Sequence, residues 1–206
     1  MLSTTRDIAK RGNSLAQAKT QFIGAAGQFY VSYALAARHI NVSLTLGNAP
    51  SVDVLASSSD GRRTLSIQVK TTMVAKKKRY GRVGYEWTVG RSVVGKHADS
   101  FIYALLDFRG DIKQQPDVFF VPSRWVSEFV RPEWERCIYF LPATAEIEQI
   151  TKNRFDVVRD YLAGKEEAQR WAATWPEDKL IKWGKPKVES RVADCCEARS
   201  SEAEAV

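Results

Sequence analysis

The segment 41–70 constrains the fold of this chain most, because it holds three short runs of β-forming residues separated by turn residues. The runs cover 41–46, 51–57 and 63–70, and the links between them contain Gly, Pro, Asn, Asp and Ser. Runs of this length with such boundaries predict strands. Links this short join neighbouring antiparallel strands, so the sequence predicts a three-strand antiparallel meander.

The dipeptide Asp60-Gly61 predicts how the last two strands pair, since it is a strong signal for a two-residue hairpin turn. Facing positions are equidistant from this dipeptide, which places Asp53 opposite Gln68. Opposed Cβ atoms lie about 4.5–5.5 Å apart, and alternate residues of a strand share a face. The carboxylate of Asp53, the amide of Gln68 and the ammonium of Lys70 are therefore predicted to converge.

The segment 14–39, before the meander, is predicted to be a helix with one buried face. Its apolar residues recur at steps of three and four, and Asn13 or Ser14 can cap its first turn. The residues expected on the buried face are Leu15, Phe22, Ile23, Ala26, Phe29, Tyr30, Tyr33, Ala34 and Ala37.

Further strands and helices are predicted after the meander. Strands are expected at 85–89, at 101–108, whose apolar run indicates cover on both faces, and at 118–121. Helices are expected at 123–130, before Pro132, and at 145–163 and 165–175. From 185 the sequence is polar and aperiodic, which predicts a disordered tail.

Positive charge is concentrated between residues 62 and 96. The chain has 31 Lys and Arg against 24 Asp and Glu, a net charge of +7, and this segment contains ten of the basic residues against Glu86 alone. A basic loop interleaved with aromatic residues suits contacts to a nucleic-acid backbone, which confer affinity without reading sequence. The residues predicted to grip phosphates are Lys76, Lys77, Lys78, Arg79 and Arg82.

Several function classes are excluded by what the sequence lacks. Cys137, Cys195 and Cys196 form neither a disulfide framework nor a zinc pattern, which indicates a reducing compartment. His39 and His97 stand alone, so no histidine-based metal or nucleophile site is expected. With no apolar window of membrane-spanning length and no signal sequence, we expect a soluble cytoplasmic protein without a membrane partner.

The residues that carry chemistry resemble a known family. Gly27-Gln28 on the first helix, Ser-Val-Asp-Val-Leu at 51–55 and Ile-Gln-Val-Lys-Thr at 67–71 resemble the PD-(D/E)xK nuclease superfamily. The resemblance covers roughly 14–121 and implies an α/β restriction-endonuclease-like core of a helix, an antiparallel three-strand meander, further strands and a helix. The chain then divides into a nuclease-like domain at 14–142, a helical C-terminal extension at 143–184 and the tail at 185–206.

The resemblance also implies roles for individual residues. Asp53 corresponds to the aspartate that binds a divalent metal, usually Mg²⁺ with Mn²⁺ as a substitute. Gln68 stands at the acidic position of the ExK element, where some members of the superfamily have QxK, and the carbonyl oxygen of Val69 is a further metal ligand in the family. Lys70 corresponds to the catalytic lysine that orients water, and Gln28 to the family's helical glutamate.

The two glutamines leave the activity open. Because Gln28 and Gln68 replace carboxylates, Asp53 is the only charged ligand, unless Glu86, Asp99 or Asp107 supplies another. The favoured interpretation is a metal-dependent endonuclease that hydrolyses DNA phosphodiester bonds, with a homodimer left open. The alternatives are a catalytically inactive nuclease-like module that binds nucleic acid or a protein, and a basic patch for an acidic protein or nucleotide-like ligand.

Overall fold

A computed structural model describes residues 5–45, 52–79, 82–131 and 137–173. Five helices and nine strands lie in these segments. The helices are α1 (Thr5–Ala36), α2 (Ser123–Phe129), α3 (Ala145–Thr151), α4 (Phe155–Leu162) and α5 (Glu166–Ala173). The strands are β1 (Asn41–Leu44), β2 (Val54–Ser57), β3 (Thr64–Thr72), β4 (Lys76–Arg79), β5 (Arg82–Thr88), β6 (Phe101–Asp107), β7 (Asp117–Pro122), β8 (Val130–Arg131) and β9 (Ile138–Pro142).

The main sheet has five strands in the order β1-β2-β3-β6-β7. Its first three strands form the predicted antiparallel meander, after which β6 pairs in parallel with β3 and β7 pairs antiparallel with β6. All seven residues of β6 are buried, as its continuous apolar run predicts. The α/β class and the core of a helix, a meander and further strands are confirmed.

The predicted pairing of β2 with β3 is also confirmed. Val54 faces Ile67 and Ser57 faces Thr64, the register set by a turn centred on Asp60-Gly61. The turn itself is wider than the predicted two-residue turn, because the Ser58 N–H donates to the Arg63 carbonyl at 3.0 Å and leaves four residues in the loop. The Asp60 carboxylate accepts bonds from Ser58 and Arg62 and so organises this wider loop without moving its centre.

A second sheet has four strands in the order β4-β5-β9-β8, and its edge strand β4 lies in the stretch predicted to be a basic loop. The expectation of a loop at 76–79 is wrong, because these residues pair with β5 from Lys76 opposite Tyr85 to Arg79 opposite Arg82. Strand β9 was not predicted, although its Ile-Tyr-Phe-Leu run is a strand signal. Strand β5 confirms the predicted strand near residue 85 and packs Tyr85 and Trp87 against Phe119 of the main sheet.

Helix α1 differs from its prediction at both its start and its exposed face. It begins at Thr5 rather than near residue 14. A stripe of Gly27, Val31, Ala34 and Leu35 faces the sheet. At 100° per residue this stripe puts three aromatic residues on the opposite side. Phe22, Phe29 and Tyr33, which were expected to be buried, are 73, 63 and 70 % exposed, and Ala37 is exposed in the turn after the helix.

Helix α4 belongs to the core on the α1 side of the main sheet, and Trp171 of α5 packs against the same core. Phe155, Val158 and Leu162 of α4 share one apolar cluster with α1. The single helix predicted at 145–163 is two helices, because Asn153 adopts a left-handed φ of 55° and its N–H donates to the Val118 carbonyl of β7 at 2.6 Å. The domain boundary at 142 stays a prediction, and the predicted tail lies outside the described residues. None of the described helices is long and apolar enough to cross a membrane.

Candidate functional site

Asp53 lies directly before β2, at the point where β3 continues without β2 as its neighbour. Its N–H donates at 2.9 Å to the carbonyl of Ile67, the residue that pairs with Val54. Its Oδ2 then accepts the Val69 N–H at 2.7 Å. The carboxylate thus takes the place of the next strand carbonyl, and the backbone of β3 fixes its position.

Two glutamine amides complete the surroundings of this carboxylate. The Gln68 Nε2 group donates to Oδ2, and the Gln28 Nε2 group donates to Oδ1 at 2.9 Å. Both oxygens of Asp53 therefore accept N–H groups, three in all, and hydrogen bonds to a charged acceptor are stronger than neutral ones. The structure brings Asp53 and Gln68 together, as the residues predict, and adds Gln28, which only the resemblance placed at the site. We call these residues, with Lys70 and the backbone of Val69, the Asp53 cluster.

The close approach of α1 to β3 positions Gln28. A Cβ atom on Gly27 would lie 2.1 Å from Thr71 Oγ1 and 3.2 Å from Thr71 Cβ, so only glycine fits there. Sequence reasoning did not identify this role of Thr71. The available signal was a glycine in the interior of a helix, where it costs about 0.5–1 kcal/mol relative to alanine and needs a reason.

Lys70 lies two residues beyond Gln68 on β3 and therefore points to the same face of the sheet. Its side chain is half-buried, and β6 runs alongside with Leu105 opposite. Within the described part of the chain its ammonium has no ion pair. The cluster therefore combines one carboxylate and two amides with a cation on the same face of β3.

Tyr103 of β6 lies opposite Gln68 of β3. Burial raises the pKa of Tyr103 to about 12. Its phenol therefore stays protonated at neutral pH and supplies no charge beside the cluster.

The three candidate acids do not form a cluster of three or more carboxylates with Asp53 within the described residues. The Asp107 carboxylate accepts the N–H groups of Ala75 and Arg109 at 3.0 and 2.9 Å. These hydrogen bonds fix the backbone near the end of β6. Glu86 is buried on β5 and Asp99 is exposed. The described residues contain no group of three or more His, Cys, Asp or Glu side chains that could hold a metal ion. Asp53 therefore does not share a three-carboxylate metal site with any two of these acids.

The basic residues after β3 lie on a strand at the edge of the second sheet. Lys76, Lys77 and Lys78 are exposed on β4, which is separated from the end of β3 by three residues. Arg79 and Arg82 face each other at the end of the β4–β5 hairpin, and their side chains lie outside the described part of the structure. Lysines on an edge strand also prevent pairing with other strands.

Comparison with known proteins gives one distant likeness. No family model and no curated protein matches the chain. Among solved structures, the bacterial homing endonuclease I-Ssp6803I matches 71 % of this chain and 97 % of its own, with 12 % sequence identity and a TM-score of 0.42. At this identity and TM-score the likeness carries no argument about what this chain does.

Proposed function

We propose that this chain is a metal-dependent endonuclease that hydrolyses DNA phosphodiester bonds at the Asp53 cluster. The observation that carries the proposal is the convergence of Gln28 and Gln68 on the carboxylate of Asp53, with Lys70 on the same face of β3. A carboxylate held by fixed donors beside a cation is an arrangement suited to phosphodiester chemistry.

The donor set of the cluster fits a hard divalent cation. An amide carries an oxygen and an NH₂ group, so turning the amides of Gln28 and Gln68 by 180° replaces N–H groups with oxygen atoms near Asp53. Carboxylate, amide and backbone carbonyl oxygens are the ligands that Mg²⁺ prefers, and Mg²⁺ keeps several of its waters. Asp53, Gln68 and the carbonyl of Val69 are the proposed ligands, with Gln28 beside them.

The protein's own groups have separate roles in the proposed reaction. A bound Mg²⁺ would polarise the phosphate and acidify a water molecule. Lys70 orients the attacking water and offsets the negative charge that develops on the phosphate. The three lysines of β4, with Arg79 and Arg82, hold the DNA backbone by charge, so binding weakens steeply as salt rises.

A second function is favoured by the hydrogen bonds of Asp53. Both carboxylate oxygens are already occupied by N–H donors, and Asp53 is the only acid in the cluster. A chain with these features that bound no metal would be a catalytically inactive nuclease-like module that binds nucleic acid through the basic β4–β5 hairpin.

Cleavage of DNA in the presence of metal tests the proposal. Purified protein is incubated with supercoiled, linear, single-stranded and branched DNA, with Mg²⁺ or Mn²⁺ and with a chelator. We expect cleavage only with metal, and its loss in Asp53→Asn and Lys70→Met. Asp60→Asn is the matched control, because Asp60 is an exposed carboxylate in the hairpin loop where asparagine is also favoured.

Failure to cleave any of these DNA forms with either metal would overturn the enzyme proposal. Salt-dependent DNA binding without cleavage would then support the inactive module. Cleavage that persists in Asp53→Asn would place the active centre elsewhere.

A further inference from the structure

The C-terminal part of α1 forms an open groove with residues 108–116, in the link between β6 and β7. The groove has a volume of about 530 Å³, within the range of about 300–1,000 Å³ that is typical of ligand sites. Each of its two walls carries apolar or aromatic side chains and one cation. Tyr30, Tyr33 and Arg38 lie on the helix wall, and Phe108, Ile112 and Lys113 lie on the loop wall.

The loop wall of the groove is held in place by its own hydrogen bonds. The Asp111 carboxylate accepts the Lys113 N–H at 2.9 Å and the Gln114 Nε2 group at 3.2 Å, so both of its oxygens are engaged within the loop. Arg109 Nη2 donates to the Gln115 carbonyl at 2.7 Å. The groove is therefore preformed, and none of the described residues that line it is acidic.

Cations lie at both ends of this side of α1. Beyond the C-terminal end, the Arg38 guanidinium is fixed 4.1 Å from the centre of the Phe155 ring, and Lys113 is exposed on the loop wall. Toward the N-terminal end, Lys19 is exposed and, at 100° per residue, lies on the side of the helix that faces the groove. The segment 19–38 contains no Asp or Glu. The charge of this surface is therefore complementary to an anionic ligand.

Aromatic rings occupy the stretch of α1 between these cations. Phe22, Phe29 and Tyr33 are 73, 63 and 70 % exposed, and Tyr30 is half-buried in the groove. At 100° per residue the four side chains lie within about 100° of each other, and from first to last they extend about 17 Å along the helix axis. A single planar ligand would need one ring, whereas a row of this length suits several planar groups in succession. We call these four residues, with the three cations, the α1 stacking surface.

We propose that the α1 stacking surface binds single-stranded DNA, with bases stacked on the aromatic rings and phosphates held by Lys19, Arg38 and Lys113. Aromatic side chains along a basic groove are the arrangement by which proteins bind single strands without reading their sequence. Duplex DNA is a poor occupant, because its bases stack on each other and present no free faces to these rings.

The α1 stacking surface is separate from the Asp53 cluster. Gln28 lies about 140° around α1 from Tyr33, and the sheet-facing stripe of the helix lies between the groove and Gln28. The choice of DNA over RNA rests on the proposed function. Binding of a single strand does not, because it needs neither a metal ion nor cleavage.

Fluorescence anisotropy of a labelled oligothymidylate of about 20 nucleotides, titrated with the full chain in EDTA, tests the proposal. We expect Phe29→Ala/Tyr33→Ala to raise the dissociation constant by at least about 30-fold, since each stacked base contributes about 5-fold or more. Val94→Ala is the matched control, because Val94 is also exposed but lies after β5. Unchanged circular dichroism shows that the variants fold. An abasic strand of the same length and charge should bind the wild type at least about 30-fold more weakly.

Salt dependence and cross-linking locate the bound strand. Lys113→Gln should lower the magnitude of the slope of log binding constant against log salt concentration by about 0.7 for the single strand, and should leave duplex binding unchanged. Strands that contain iodouracil cross-link to aromatic side chains under ultraviolet light. We expect these cross-links in residues 20–38, which trypsin releases as one peptide that contains all four aromatic residues.

A wild-type chain that does not bind the single strand at low salt would overturn the proposal, and so would equal binding of the abasic strand. Cross-links confined to residues 76–91 would place the strand on the β4–β5 hairpin instead. Tighter binding of an oligouridylate would assign the surface to RNA and overturn the choice of DNA. Absence of DNA cleavage with metal would count against the Asp53 cluster alone, since binding is measured in EDTA.

Discussion

The contact between Gly27 and Thr71 makes a specific prediction for Gly27→Ala. The added Cβ would lie 2.1 Å from Thr71 Oγ1, about 1.3 Å closer than ordinary contact at 3.4 Å. Rotation of Thr71 does not remove the clash, because its Cβ and Cγ2 are both at 3.2 Å. Opening these 3.2 Å contacts by a few tenths of an ångström moves helix α1 away from β3 and lengthens the 2.9 Å bond from Gln28 to Asp53.

The expected change in the free energy of unfolding follows from two opposing effects. Overpacking costs about 1–3 kcal/mol, whereas replacing glycine by alanine inside a helix gains about 0.5–1 kcal/mol. We expect Gly27→Ala to be destabilised by about 1–2 kcal/mol. Gly24→Ala is the matched control, because no atom lies within 4 Å of the added Cβ in the same helix. It should gain about 0.5–1 kcal/mol.

Denaturant unfolding at one protein concentration measures both changes, and metal-dependent DNA cleavage reports the displacement of Gln28. Thr71→Ala should partly rescue Gly27→Ala, because it removes the hydroxyl and methyl groups that clash. Its own cost should be small, since the buried Thr71 hydroxyl has no hydrogen-bond partner. If Gly27→Ala were as stable as Gly24→Ala, or if Thr71→Ala gave no rescue, the close approach of α1 to β3 would not position Gln28.

Three further predictions concern metal, DNA and protons. Gln68→Glu places a second carboxylate beside Asp53, so the melting temperature should fall without metal. Added Mg²⁺ should raise the melting temperature of this variant by more than that of the wild type, approaching about 2.7 kcal/mol of stabilisation at 100 times the dissociation constant. Equal Mg²⁺ responses of the two proteins would argue against a metal at Asp53. Replacing Lys76–Lys78 by Gln should lower the magnitude of the slope of log binding constant against log salt concentration by about 2–3. The control Lys113→Gln should leave this slope unchanged. Titrations of duplex DNA at several salt concentrations measure both slopes. Because burial raises the pKa of Tyr103 from 10.0 to about 12, its contribution to stability is complete below pH 10 and is lost as the pH rises toward 12. Tyr103→Phe should reduce the loss of stability between about pH 10 and about pH 12, and an unchanged loss in unfolding experiments would contradict this.

The position of Asp53 was predictable from sequence because it follows from local rules. A turn centred on Asp60-Gly61 sets Val54 opposite Ile67, and Asp53, directly before Val54, contacts the side chain of Gln68. The wider loop did not disturb this prediction, since it has the same centre. Gln28 could be assigned to the site only through the resemblance to a family, because its contact with Asp53 depends on the packing of α1 against β3.

Three of the errors involve packing or pairing with another element of the fold. Apolar spacing identified Phe22 and Phe29 but not which side of α1 the sheet would cover. The break at Asn153 depends on hydrogen bonds to Val118 of β7, which a helical pattern does not reveal. Lys76–Lys78 form a strand because β5 pairs with them, and their composition alone indicated a loop.

A crystal structure of the wild-type protein soaked in Mn²⁺ tests the central claim most directly, because the anomalous signal locates the ion. The account predicts an ion bound to the Asp53 carboxylate, with the amides of Gln28 and Gln68 turned so that their oxygens face it. A structure with no ion at Asp53, in which both amides still donate to its carboxylate, would contradict the claim of a metal-dependent active site.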